Sequence, residues 1–361
     1  MTATSARSLV VGTVTAGLAA LLIGTLTIGA ARQAPVSEEA YVRSYNGRVL
    51  HDGLEILLVQ SDGQAFAEMA RDPSMARPEE FDTPAEAAYR EQRPLLSYLA
   101  WAASFGHPSW VPPALAALFA LAVGLAAAGL AGLLEQRGCS PWFATGLMVL
   151  PGTYAALTYF GPEVLGLALV VWGYRWWTQV ERRSVAALVC FGLAGLTRET
   201  MLLVPAALAI VALAQRRPRD AAVLATSAAG WLCWVVIVHV RVGAWPTGAS
   251  EGRLSIPFAG LVDATEHTSF GKLFPYAALG AVIVLFVVVR SRETPLKAIV
   301  LVQAAFATML GKFVWIDWYF FARVLLPMYA LGFVAILAVV LGQERRADAW
   351  ATKPEPVTDA R

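Results

Sequence analysis

The chain has 361 residues, 57% of them hydrophobic and only 15% charged, which is too apolar for a soluble globule and suits a bundle of helices in a membrane. Its net charge of +2 arises from basic residues dispersed along the chain instead of gathered in a patch, which argues against nucleic acid as a partner. Cys139, Cys190 and Cys233 form no CxxC pair, so neither a disulfide framework nor a cysteine metal or redox centre is suggested.

Residues 9–30 open the apolar pattern. They exceed the roughly 7–15 residues of a signal-peptide core and approach the ~20 that cross a bilayer, so they read as an uncleaved anchor. Residues 31–110 follow as a long polar loop. It begins with an expected β-hairpin over 41–50, centred on Asn46-Gly47, a strong two-residue turn signal. Residues 63–71 and 84–105 read as helices at the membrane surface, the apolar run 95–105 being too short to span. Further apolar segments fall at 111–134, 141–160, 163–179, 184–197, 200–214, 220–240, 273–290, 297–314 and 323–342. Residues 242–272, rich in Gly, Pro, Ser and Thr, read as a second, mobile loop, and 343–361 as a disordered tail. Residues 1–342 form one all-α transmembrane domain, with no internal repeat.

Basic residues fix the orientation. Arg182/Arg183, Arg216/Arg217/Arg219, Arg290/Arg292/Lys297 and Arg345/Arg346 return to the same ends of the apolar segments, the positive-inside pattern of a polytopic protein. Two such clusters bracket 184–214, which must therefore cross an even number of times, turning at Leu196-Thr197-Arg198-Glu199-Thr200. Residues 141–179 fold likewise, with Tyr159-Phe160-Gly161-Pro162-Glu163 at the outer tip. About ten spans result, with both termini cytoplasmic. Arginine outnumbers lysine and alanine abounds, which points to a G+C-rich bacterial genome and an inner-membrane location.

The remaining polar motifs gather on the outer side. No Walker A loop, GxGxxG, GxSxG or HExxH motif is present, and the four histidines share no helical spacing, so chemistry must rest on carboxylates and arginines. Ser61-Asp62-Gly63-Gln64 fits a capping box with Asp62 as helix cap. Equally, a carboxylate at a helix start facing the membrane surface suits removal of a proton from an incoming hydroxyl. Pro94 opens a helix beside Arg93, which could bind lipid headgroups or a substrate phosphate. Arg198 and Glu199 stand at a short hairpin tip, close to the hydrocarbon boundary, where charge is costly and often marks a site. Asp317-Trp318-Tyr319-Phe320-Phe321-Ala322-Arg323 reads mostly as an interfacial aromatic belt. Arg323 heads the last span, its guanidinium fork suited to a phosphate at headgroup depth, and Pro327 can open the helix one turn on.

These residues, with the long first loop bearing Ser61-Asp62-Gly63 and the 89–96 stretch, resemble the GT-C superfamily of integral-membrane glycosyltransferases, mannosyltransferases among them. The resemblance implies a GT-C-like helical bundle. It also implies transfer of a sugar from a polyprenyl-phosphate donor to a glycan, lipid or protein acceptor outside the cytoplasm, with inversion. By that resemblance Asp62 is the catalytic base, Arg93, Arg198 and Arg323 hold the donor phosphate, and Glu163, Glu199 and Asp317 line the site or meet the acceptor. His51-Asp52-Gly53 offers Asp52 as the alternative base, since GT-C members often carry two neighbouring acids where Asp62 stands between Ser61 and Gly63. No cofactor is implied. A lipid monophosphate leaving group does not demand a divalent metal, although one is compatible with the reading. Two rivals remain: a polytopic transporter, which would place charges and broken helices at the bilayer midplane, and a non-catalytic scaffold of an envelope-polysaccharide complex, in which no cavity would join Asp62 to Arg323.

Overall fold

The computed structural model describes residues 5–32, 42–45, 50, 52–179, 184–246, 253–266 and 270–341. Among them the chain is almost wholly helical and contains no strand, only the isolated bridges Val42–Phe81 and Leu254–Leu310. The first helix, α1 (Ala6–Ala31), leads into a segment that folds as α2 (Gly53–Val59), α3 (Gly63–Arg71), α4 (Pro84–Glu91) and α5 (Pro94–Ala103). Local signals start these helices. Asp52 caps α2 by accepting from Leu54 N at 2.7 Å. Thr83 caps α4 by accepting from Glu86 N at 3.1 Å, and Pro84 and Pro94 sit in first turns, where a missing N–H costs nothing. The hairpin expected at 41–50 is not what the described residues form. Arg43–Tyr45 is a 3-10 turn and Val42 pairs with Phe81, while Asn46-Gly47 lies outside the described residues.

The next helix, α6 (Val111–Glu135), runs antiparallel to α1 in close contact. A Cβ on Gly12 would meet the Gly124 carbonyl and the Ala128 methyl at 2.8 Å, and one on Gly124 would meet the Ala16 methyl at 2.7 Å. Small residues four apart on both helices thus let the backbones touch, which is how helices associate where lipid removes the hydrophobic drive. Ser5 and Ser8 close one end of the pair by donating to Glu135 at 2.6 and 2.8 Å.

Beyond α6 the chain forms α7 (Pro151–Thr158), α8 (Glu163–Trp177), α9 (Ser184–Thr197), α10 (Leu203–Ala214), α11 (Pro218–Ala225) and α12 (Ala229–Val242). The expected break between α9 and α10 is present: Arg198 is extended and Glu199–Leu202 is a 3-10 turn. The α7–α8 turn is also present, with Phe160 buried edge-on against Phe119 at 5.1 Å. The chain closes with α13 (Ala259–Thr265), α14 (Phe270–Arg290), α15 (Thr294–Thr308), α16 (Lys312–Trp315), α17 (Trp318–Val324) and α18 (Leu326–Val340). A buried ion pair, Arg137 to Glu293 at 2.5 and 2.7 Å, ties the end of α6 to the start of α15.

Among the described residues, three segments are long and apolar enough to cross a membrane: Ala6–Ala31, Pro108–Glu135 and Pro218–Val242. A fourth is the pair α17 and α18, bent by 66° beside Pro327 in the first turn of α18. Other apolar helices, among them Ser184–Thr197, Glu199–Ala214 and Thr294–Thr308, are shorter than one straight crossing needs. The segment read as a mobile loop is tied down over 253–258. Gly311 N donates to Arg253 O at 2.8 Å, Ser255 N to Met309 O at 2.9 Å and Phe258 N to Thr308 O at 2.6 Å.

Candidate active site

A cavity of about 370 Å³ lies where α3, α4, the α7–α8 turn, the Arg198 break and α17 converge. Five arginines line it, namely Arg90, Arg93, Arg198, Arg253 and Arg323, together with the carboxylates Asp62, Asp82, Glu86 and Glu163. Phe66, Phe313, Phe320 and Val314 supply apolar wall. Such a density of charge in so apolar a chain is expensive unless the groups are paired, so the pairing shows how the site is built.

Asp62 is central. Although it precedes α3, its side chain makes no capping bond; Ser61 Oγ instead accepts from Gly63 N at 3.2 Å, and Gln64 accepts from Val42 N at 3.3 Å. The capping box therefore does not form. The Asp62 carboxylate turns inward to two guanidiniums, accepting from Arg90 Nη1 at 3.0 Å and standing 2.8 Å from Arg323 Nη1. Burial works to raise its pKa, but Arg323 and Arg90 prevail and hold it well below the usual carboxylate range.

The second group is Glu163 with Arg198 and Arg323. Glu163 Oε1 pairs with Arg198 Nη1 and lies 3.9 Å from Arg323 Nε. The close approach needs Gly161, where a Cβ would run into the Glu163 carboxylate and reach within 2.8 Å of Arg323 Nη1. Burial, and then the neighbouring charge of Arg93, pull Arg198 down to about 10. Arg198 Nε and Arg323 Nε are enclosed without an aligned hydrogen bond, as is Glu163 Oε2.

Arg93 is placed differently. It grips Glu199 with two bonds, Nε–Oε2 at 2.9 Å and Nη2–Oε1 at 2.6 Å, and donates to the Tyr89 hydroxyl at 2.9 Å. Its Nε and Nη2 are engaged, a structural clamp between the first loop and the Arg198 break. Arg90 is shared between Asp62 and Glu86, the latter at 2.7 Å. Arg253 stacks over the Tyr89 ring at 3.6 Å and lies 3.7 Å from Glu86, with its Nη1 enclosed and unpartnered.

The sequence-predicted residues Asp62, Arg93, Glu163, Arg198 and Arg323 thus share one cavity, and Glu199 adjoins it through Arg93. Asp317 does not line it; its carboxylate accepts from the Tyr319 hydroxyl at 3.2 Å. Asp52, the alternative base, is taken up as the cap of α2 and stands outside the cavity lining. Glu86, Asp82 and Arg253 lie outside the motifs read from the sequence, while Tyr89 and Arg90 fall in the 89–96 motif without a role of their own; a helical projection of 84–91 sets Glu86 and Arg90 together, four residues apart. Among the described residues no cluster of three or more His, Cys, Asp or Glu side chains suits a metal ion. No family model, curated protein or solved structure matches the chain.

Proposed function

We propose that this chain is a membrane glycosyltransferase of the GT-C type, carrying a sugar from a polyprenyl-phosphate donor to an envelope glycan, lipid or protein. The observation that supports it most is the convergence of Asp62, Arg198 and Arg323, from three distant parts of the sequence, on one cavity with an apolar wall. A scaffold has no need of a cavity joining Asp62 to Arg323. The bundle has about ten spans, counting the shorter apolar helices as bent or tilted crossings. Both termini are cytoplasmic, the cavity faces outward, and the membrane is a bacterial inner membrane.

The reaction is a single inverting displacement. Asp62 removes a proton from the acceptor hydroxyl, whose oxygen attacks the sugar C1 as the bond from C1 to the phosphate oxygen breaks. The electron pair stays with the lipid phosphate, where Arg323 and Arg198 meet the growing charge. Arg93 serves first as a clamp, because Glu199 and Tyr89 occupy its Nε and Nη2. A benzophenone-bearing polyprenyl monophosphate tests the reading: irradiation labels the 313–324 segment in the wild type and not in Arg323→Ala. Labelling that ignores the variant, or that falls elsewhere on the bundle, contradicts it.

A further inference from the structure

The arginines best suited to a phosphate already hold carboxylates. Arg323 faces Asp62 Oδ2 at 2.8 Å and Glu163 Oε1 at 3.9 Å, and Arg198 shares that same Glu163 oxygen. The match is incomplete. Arg198 Nε and Arg323 Nε are shut from solvent without an aligned acceptor. The nearby guanidinium of Arg93, by contrast, meets Glu199 through Nε and Nη2 and the Tyr89 hydroxyl through Nη2. A phosphate offers oxygens in several directions and satisfies such a fork-and-fork arrangement better than two carboxylates reaching in from the walls. There is a second mismatch. A carboxylate held by two guanidiniums takes up a proton poorly, which is the wrong condition for a general base.

From these two mismatches we infer that Asp62 and Glu163 stand in the seat of the incoming phosphate, and that the donor activates its own base by displacing them. The inference rests on the lipid-phosphate reading given above. The anion takes Arg323 from Asp62 Oδ2 and Arg198 from Glu163 Oε1, so every guanidinium stays paired through the exchange. Asp62 keeps Arg90 and gains a negative neighbour, which raises its affinity for a proton. Base strength therefore appears only when the donor is seated. An acceptor or a water molecule arriving first meets a carboxylate that is still locked.

Competition of this kind has a signature that a purely structural ion pair lacks: neutralising the carboxylate should improve anion binding. The probes are farnesyl phosphate and inorganic phosphate, titrated into the full-length protein in nanodiscs, with melting temperature confirming the fold of each variant. Asp62→Asn and Glu163→Gln are each expected to bind farnesyl phosphate roughly tenfold more tightly than the wild type, the scale of one charge-assisted contact. Arg323→Ala should lose binding. If Asp62→Asn does not fold, Glu163→Gln decides alone. Folded carboxylate variants that bind no tighter than a binding-competent wild type overturn the inference. Tighter binding of both probes alike, with no preference for the prenyl chain, upholds the shared seat and overturns the lipid-donor reading. No binding of either probe by any folded protein overturns both.

Discussion

Asp62, at the start of α3, and Arg323, in the last turn of α17, stand 2.8 Å apart with side chains only 17% and 3% exposed. Removing one partner leaves the other charged and enclosed. Arg323→Ala is expected to destabilise the protein by about 3–5 kcal/mol and to lower transfer by about 10²–10³. Arg323→Lys keeps the charge without the planar fork, so it should restore much of the melting temperature but little of the rate. A lysine variant with wild-type turnover would contradict the role given to the guanidinium.

Arg93 separates structure from chemistry. Because it binds Glu199 twice and Tyr89 once, Arg93→Ala and Glu199→Ala should each cost about 1.5–3 kcal/mol. In a double-mutant cycle the combined loss should fall short of the sum by at least about 1 kcal/mol. Thermal unfolding in one detergent measures this. Additive losses would mean that the two do not act as a pair.

Gly161 is a check on the Glu163 cluster. An alanine methyl would collide with the Glu163 carboxylate and crowd Arg323, so Gly161→Ala must shift both. The expected cost is about 1–3 kcal/mol, with turnover falling further than the melting temperature alone explains. Gly17, whose added Cβ meets nothing within 4 Å, provides the matched control, and Gly17→Ala should leave both unchanged.

Stability should also depend on pH through Glu91. Burial first, and the charge of Asp72 second, push its carboxyl up to about 8. An unfolded chain binds that proton with a pKa of about 4.3, so the folded state holds it more tightly between these values. Stability from Glu91 is full below about pH 4.3 and is lost as pH rises toward about 8. Asp62 runs oppositely, its contribution being lost only in strong acid, so between pH ~5 and ~9 the slope reports Glu91 and not Asp62. Glu91→Gln should flatten the fall in melting temperature over that range and exceed the wild type at its alkaline end. An unchanged slope in the variant would contradict the assignment.

Asp317 lies off the cavity lining and accepts a bond from Tyr319. Asp317→Asn can keep an acceptor for that hydroxyl, so transfer should stay within about twofold of wild type, as for substitutions away from a packed or charged feature. A large loss of activity would bring Asp317 back to the site.

The charged side of the cavity was legible because charge is costly in so apolar a chain. Asp62, Glu163, Arg198 and Arg323 each sit at a helix start, end or break, and turn residues mark such places in the sequence. What stayed hidden depends on main-chain pairing and on helix register. Arg253 lies in a stretch whose Gly and Ser content reads as loop, yet its carbonyl accepts from Gly311 N, a contact that composition does not encode. Arg90 and Arg93 share one short motif, and only the folded geometry sends Arg90 to Asp62 and Arg93 to Glu199. The count of spans was the least legible feature, because bends such as that between α17 and α18 divide apolar runs into helices shorter than a bilayer. The 41–50 stretch shows the same limit: a two-residue turn signal is local, and among the described residues Val42 pairs with Phe81.

The most direct measurement compares envelope glycans by mass spectrometry in cells lacking this protein, complemented with the wild type or with Asp62→Asn at matched membrane levels. The account predicts that one sugar disappears with the deletion, returns with the wild type and does not return with Asp62→Asn. Full restoration by Asp62→Asn would contradict the assignment of Asp62 as the base that donor binding sets free.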